Sequence, residues 1–149
     1  MTESTYAGDQ LLDAWLSLTS TLWNTRIVNS MTYNEAHVMG ILLRHSCDGD
    51  PLTATDLIKR THLLKSQMNK ILSTLEGKGY IVRIRASSDR RMAHIRLTPD
   101  GEQAYLIEHA GTEKILMELV VRIGAKRALQ ISADLQDVTA ALDDILSNT

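Results

Sequence analysis

Apolar side chains recur along most of this chain at spacings of three and four, which gathers them on one face of an α-helix. In residues 9–29, Leu11, Trp15, Leu18 and Leu22 keep that spacing with Trp23 beside them, and Leu12, Leu16, Ile27 and Val28 widen the stripe. A helix this apolar, so near one end of the chain, needs a partner surface: the core of its own domain or another subunit. Thr32-Tyr33-Asn34-Glu35 has the form of a capping box, in which the hydroxyl accepts from a first-turn N–H and the carboxylate reaches back. The helix behind it runs to about His45, with Ala36, Met39, Leu42 and Leu43 inward. Cys47-Asp48-Gly49-Asp50-Pro51 is a loop by composition, and Leu52 is placed to bridge into a small sheet. Thr53-Ala54-Thr55-Asp56 repeats the capping pattern ahead of a short helix to about Arg60, with Leu57 and Ile58 buried and a turn at Thr61-His62-Leu63. The next helix covers roughly 65–77 with Met68, Ile71, Leu72 and Leu75 inward, and Gly77 and Gly79 end it, one of them as a left-handed cap.

Residues 80–85 have strand composition, with Arg83 and Arg85 on one face. A polar turn over 86–91 and a second strand over 93–97 make a β-hairpin with a basic tip. Thr98-Pro99 opens a new helix, the proline in the first turn where its missing N–H costs nothing; it runs to about Ile123, and Gly124 breaks it. A last helix, about 126–146, spaces Ile131, Leu135, Val138, Leu142 and Ile145 as a heptad seam, suited to helix pairing within the chain or between chains.

Charge sharpens this picture. Residues 59–96 hold ten basic side chains and two acidic ones, Glu76 and Asp89, for about +8, whereas each flank carries about −5. An exposed helix ordinarily mixes signs, so a solvated charged face explains this run less well than a polyanion-binding module held by an acidic scaffold. With 149 residues the chain predicts one domain, burying roughly two-thirds of its unfolded surface. Phenylalanine is absent, so Leu, Ile, Val, Met and Ala must fill the core. The lone Cys47 excludes an internal disulfide framework and fits a reducing compartment. The polar N-terminus is no signal peptide and no run is long enough to span a membrane, so the expected setting is cytoplasmic.

Helix, short helix, turn, helix, hairpin is the order of a helix-turn-helix with a wing. The fold expected is mainly α with a small β-hairpin wing. A helix fits the B-DNA major groove, and outward Gln67 and Asn69 suit bidentate pairing with adenine, Lys65 and Lys70 a guanine or a phosphate, Ser66 a phosphate or a base edge. Arg90 and Arg91 at the hairpin tip suit a narrow minor groove, and Lys59, Arg60, Arg83 and Arg85 suit phosphates, which position the protein without specifying sequence.

Asp89-Arg90-Arg91, followed after five residues by Leu97-Thr98, resembles the D-x-R-x5-L-T wing signature of the MarR family of bacterial winged-helix regulators. Ser66-Gln67-Met68-Asn69-Lys70, with Leu72, Leu75, Glu76, Gly79 and Tyr80, is similar to that family's recognition helix and its exit. The resemblance covers essentially the whole chain. It implies a homodimer on a pseudo-palindromic operator, with dimerisation helices over about 9–31 and 99–149 and a DNA-binding lobe over about 32–98. It further implies a repressor rather than an activator, with Arg91 as the minor-groove arginine, Asp89 orienting the wing, Ser88 beside them, and residues 65–70 facing the major groove. Two positions depart from the pattern. Leu64 stands where a polar N-cap is usual, so an irregular helix start is expected, and Lys70 stands where arginine is common, which weakens any bidentate contact.

Regulation leaves several candidates. In the family, small-molecule effectors lodge between the dimer helices and the DNA-binding lobe, and Trp15, Trp23, Tyr33, His37 and Arg44 are the side chains for such a cleft; for each, plain core or surface is the alternative. A metal-sensing regulator of the same fold would draw on His37, Glu108 and His109, but adjacent Glu108 and His109 diverge by about 100° on a helix, so no metal and no cofactor is expected. Redox sensing at Cys47 lacks a neighbour that would depress its pKa. A winged helix serving as a protein–protein module would need an uncharged wing, and this one is basic. No nucleophile elbow or phosphate-binding glycine loop is present, so an enzyme is not expected.

Overall fold

The fold is described from a computed structural model over residues 2–24 (backbone alone for 23 and 24), 30–46, 51–85 and 92–148. Its elements are α1 (Glu3–Asn24), α2 (Tyr33–Ser46), β1 (Leu52–Thr53), α3 (Ala54–Thr61), α4 (Lys65–Gly77), β2 (Ile81–Arg85), β3 (Ala93–Leu97), α5 (Pro99–Ile123) and α6 (Ala125–Ser147). The expected order therefore holds, and Leu52 does join the wing: the three strands are antiparallel in the order β1-β3-β2, with Leu52 opposite Ile95 and Ile81 opposite Leu97. Ile27, Val28, Cys47 and the hairpin tip lie outside the described residues.

The first helix starts well before the apolar stripe. Thr5 N–H donates to Thr2 Oγ1 at 3.3 Å and Tyr6 N–H to the Thr2 carbonyl at 3.1 Å, so Thr2 caps a polar first turn that apolar periodicity does not register. The capping boxes of α2 and α3 form as read. Thr32 N–H donates to Glu35 Oε2 at 3.0 Å and Glu35 N–H returns to Thr32 Oγ1 at 3.2 Å. Thr53 N–H and Oγ1–H both donate to Asp56 Oδ2, at 2.9 and 2.7 Å. These bonds, first from the Thr53 hydroxyl and then from its backbone, hold the Asp56 carboxyl below its ordinary pKa; Lys59 and Arg60 add smaller pulls in the same direction, against a burial effect.

The chain divides into two compact units, Met1–Gly111 and Thr112–Thr149, so the division falls inside α5. In the first unit the core is built by Val38, Met39, Ile41 and Leu42 of α2, Leu57 of α3, Met68, Leu72 and Leu75 of α4, and Ile81 and Ile95 of the wing. Met31, Leu52 and Tyr105 complete it. Burial spreads around much of α2, as it must for a helix packed on several sides. Tyr105 shows that the start of α5 belongs to this core. In the second unit α6 has no buried residue. Among the described residues no helix is long and apolar enough to cross a membrane.

The exit of α4 and the entry of α5 are stitched together. Tyr80 N–H reaches the Leu75 carbonyl and Gly79 N–H the Glu76 carbonyl, closing a Schellman motif with Gly79 at φ 74°. Thr98 N–H then donates to the Tyr80 carbonyl at 3.0 Å and Thr98 Oγ1–H to the Gly79 carbonyl at 2.6 Å, while Gly101 N–H caps back onto Thr98 Oγ1 at 3.0 Å. A Cβ on Gly101 would stand 2.0 Å from the Tyr80 carbonyl oxygen. Gly101→Ala is therefore expected to cost about 1–3 kcal/mol or more through overpacking against backbone that cannot swing away, whereas Gly77→Ala, where a Cβ meets nothing, should be neutral or better; denaturant unfolding measures both.

A second expectation concerns pH. A carboxyl whose folded pKa is depressed adds stability that is present above its unfolded pKa, near 4, and lost as pH falls through the folded value. Asp56→Asn should therefore flatten the acid limb of the stability–pH curve and leave its shape near neutrality unchanged, read from unfolding midpoints between acidic and neutral pH.

Candidate nucleic-acid interface

Helix α4 is amphipathic in a way that decides which side chains can meet a ligand. Met68, Leu72 and Leu75 are fully buried against the lobe, and Ile71 is half-buried. Fixing that face leaves Lys65, Ser66, Gln67, Asn69 and Lys70 exposed on the other, as the sequence implied. The turn that presents α4 is tight: His62 N–H donates to the Ile58 carbonyl at 2.9 Å and His62 sits at φ 57°, left-handed backbone in which histidine is among the better-tolerated side chains.

The start of α4 is regular, contrary to the expectation from Leu64. Leu64 has no side-chain acceptor to offer, yet Gln67 Oε1 accepts its N–H at 3.0 Å, and Met68 N–H closes the first helical bond onto the Leu64 carbonyl at 2.9 Å. The reciprocal half of a capping box thus suffices. Gln67, read as a bidentate partner for adenine, has its carboxamide oxygen held by the Leu64 N–H, which engages one of its two lone pairs and leaves the NH2 group to donate. The signal was present in the sequence as a glutamine three residues after the cap position, without the serine or threonine that draws attention to it.

Two ion pairs between elements, which the sequence did not announce, fasten the platform. Lys78 Nζ, just beyond α4, lies 3.1 Å from Glu35 Oε2, so the carboxylate that caps α2 also holds the exit of α4. Arg83 Nε lies 3.1 Å from Glu76 Oε2 and ties the wing to the last turn of α4. Strand alternation explains the second contact: Ile81, Arg83 and Arg85 share the face that turns toward the lobe, Ile81 is buried, and Arg83 opposite buried Ile95 reaches the edge of α4. Arg83, expected at a phosphate, is thus engaged within the protein. Arg85, two residues on, is exposed at the base of the tip, opposite Ala93. Lys59 and Arg60 are exposed at the end of α3. Ser88, Asp89, Arg90 and Arg91 lie outside the described residues.

The effector candidates lie on α1 and α2. Tyr33 O–H donates to the Leu22 carbonyl at 2.8 Å, joining the start of α2 to the end of α1. His37 and Arg44 occupy positions two turns apart on α2 and both are exposed. Neighbouring protein still crowds the His37 ring enough that desolvation, and second the charge of Arg44, lower its pKa and favour neutral imidazole. Trp15 is exposed, and the side chain of Trp23 is not among those described. Of the residues weighed for a metal, Glu108 is buried and accepts Ser30 N–H at 2.7 Å, while exposed His109 stacks on Tyr105 at 5.3 Å between ring centroids. Among the described residues no group of three or more His, Cys, Asp or Glu is placed to hold an ion.

Comparison with known proteins agrees with this geometry. Residues 29–92 match the MarR family model. The HTH-type transcriptional regulator FarR of Neisseria gonorrhoeae is 26% identical over 108 residues, covering 72% of this chain and 73% of FarR. Among solved structures, MepR of S. aureus bound to DNA superposes with a TM-score of 0.72 at 22% identity, covering 86% of this chain and 96% of MepR. The PcaV transcriptional regulator of Streptomyces coelicolor, in complex with its natural ligand, superposes with a TM-score of 0.76 at 18% identity, covering 95% of this chain and 97% of PcaV. At those identities the two structures speak for the fold. The family and these relatives are transcriptional regulators, not enzymes. The winged helix, carried by a segment that matches the MarR family model over residues 29–92, and the helices on either side of it make this chain similar to the winged-helix transcriptional regulators of that family.

Proposed function

We propose that this chain is a MarR-family transcriptional regulator that binds double-stranded DNA as a homodimer, with α4 in the major groove and the tip of the wing, through Arg90 and Arg91, in the adjacent minor groove. The observation that carries this reading is the outward face of α4: Lys65, Ser66, Asn69 and Lys70 are exposed side by side on a helix whose other face is locked into the core. Exposed Lys59, Arg60 and Arg85 add phosphate contacts on the same lobe. The MepR–DNA complex, on the same fold, supports this docking.

The two-fold pairing is supported by apolar surface that one chain leaves in water. On α1, Leu11, Leu12, Trp15, Leu16 and Leu18 are each at least half exposed. The later turns of α5 expose Leu116, Met117 and Val121, and α6 exposes Leu129, Leu135, Ile145 and Leu146. A 23-residue helix without one buried residue has little to hold it in isolation, because helices draw most of their stability from packing an apolar face. The dimerisation helices are accordingly α1 and those of the C-terminal unit. A repressor role, release by a small-molecule effector bound near Trp15, Trp23, Tyr33, His37 and Arg44, and a cytoplasmic setting complete the proposal. The ligand held by PcaV on this fold supports the effector arm.

The DNA reading is tested with an operator selected from a random duplex pool. For six to ten phosphate contacts, affinity should fall about 10³–10⁵-fold between 50 and 200 mM salt. Arg91→Ala should weaken binding by about 1–3 kcal/mol. Asn69→Ala should relax preference at one base pair per half-site; a loss uniform across sequences would assign Asn69 to the backbone instead. Salt-independent or absent duplex binding overturns the reading.

Sedimentation should give twice the 16.6 kDa chain mass. Leu135→Asp and Trp15→Asp, each placing a charge on exposed apolar surface, should shift that mass toward the monomer and weaken operator binding in parallel. A monomeric wild type that still binds the operator with full affinity would remove the dimer from the mechanism.

A further inference from the structure

The residue at the start of α4 is the unexplained one. Leu64 is 67% exposed, a large apolar side chain at the very position where a helix benefits from a hydroxyl or carboxamide. It has extended backbone, at φ −65° and ψ 149°, and makes no capping bond with its side chain. Its own N–H and carbonyl are satisfied without that side chain, by Gln67 Oε1 and Met68 N–H. Nothing in the local structure therefore requires leucine there, and its exposure works against stability.

Its place in the chain sets what it can meet. Leu64 precedes Lys65, Ser66 and Gln67, the first turn of α4, and in helix-turn-helix docking the N-terminal residues of the recognition helix are the ones that meet base edges. On those edges the major groove offers one apolar group, the C5-methyl of thymine. We propose that Leu64 is a specificity-determining residue that buries a thymine methyl in each half-site of the operator, beside a Gln67 whose clamped oxygen leaves its NH2 to donate to an acceptor such as a purine N7 or thymine O4. This rests on the DNA reading above and deepens it: the helix start gives up a capping side chain and presents an apolar one to the duplex. Gln67, by serving as the reciprocal cap, keeps the helix intact when position 64 cannot.

Deoxyuridine lacks only the methyl group, so it isolates the contact. The full-length protein is titrated against the selected operator with each thymine replaced in turn by deoxyuridine. Wild type should lose affinity at one thymine per half-site, about fourfold for a single replacement, the factor that burying one methyl-sized group corresponds to, and about tenfold or more when both half-sites are changed. Leu64→Ala should bind the thymine and deoxyuridine operators equally. Leu64→Ser adds a capping oxygen, so its thermal midpoint should hold or rise while the deoxyuridine penalty disappears, which separates base reading from a structural role. A wild type with no deoxyuridine penalty at any thymine, or a penalty that persists unchanged in both variants, overturns the proposal and leaves the DNA reading standing. Failure to bind any duplex overturns the DNA reading, and this assignment with it.

Discussion

The structure depends on the burial of one face of α4. Met68, Leu72 and Leu75 enter the core completely, and at about 1.5–3 kcal/mol each their burial contributes roughly 5–9 kcal/mol toward holding the helix in one rotation about its axis. In the docking proposed above, that rotation decides which side chains face the duplex. With the apolar face pinned, Lys65, Ser66, Asn69 and Lys70 have nowhere to point but outward, so the same apolar side chains that stabilise the lobe also aim its polar ones. Turning the helix by one residue position, about 100°, would drive Asn69 into the core and bring Met68 into water.

The rest of the lobe reinforces that orientation at both ends of the helix. At its start, Gln67 and the left-handed His62 set where the first turn begins. At its exit, the Schellman closure at Gly79, the Lys78–Glu35 pair and the Arg83–Glu76 pair tie it to α2 and to the wing. The Arg83–Glu76 pair is partly exposed, so its value lies less in stability, where such pairs contribute about 1 kcal/mol or less, than in the angle it gives the strand that carries Arg85. Glu35 has the larger consequence because it is buried. It caps α2 and pairs with Lys78 at once, so a change there loosens two elements together.

The terminal helices obey the opposite logic. Their apolar stripes are as regular as that of α4, yet α6 buries no residue within the chain and α1 leaves Trp15 and its leucines half in water. Exposed apolar surface on this scale marks an interaction surface. The acidic balance of the two ends, against the basic middle, gathers the positive charge of the chain on the winged-helix segment.

Much of this is legible in the sequence. The capping boxes at Thr32 and Thr53, the Gly79 cap, the Thr98-Pro99 start and the inward residues of α4 all follow from partners three or four residues apart, and contacts at that range are written in the sequence itself. The early start of α1 escaped because Thr2 caps a turn with no apolar period, and the regular start of α4 escaped because only half of a capping box is present. Glu35 with Lys78, 43 residues away, and Glu108 with Ser30, 78 away, carried no signal at all. Sequence by itself determined the elements, their caps and the sign of the charge on each segment, because those are local quantities. Tertiary structure alone decided which carboxylates meet which cations, that Arg83 reaches Glu76 of α4, and that Leu64 stands in solvent. Those outcomes depend on how finished elements pack against one another, and packing is a property of surfaces brought together from distant parts of the chain.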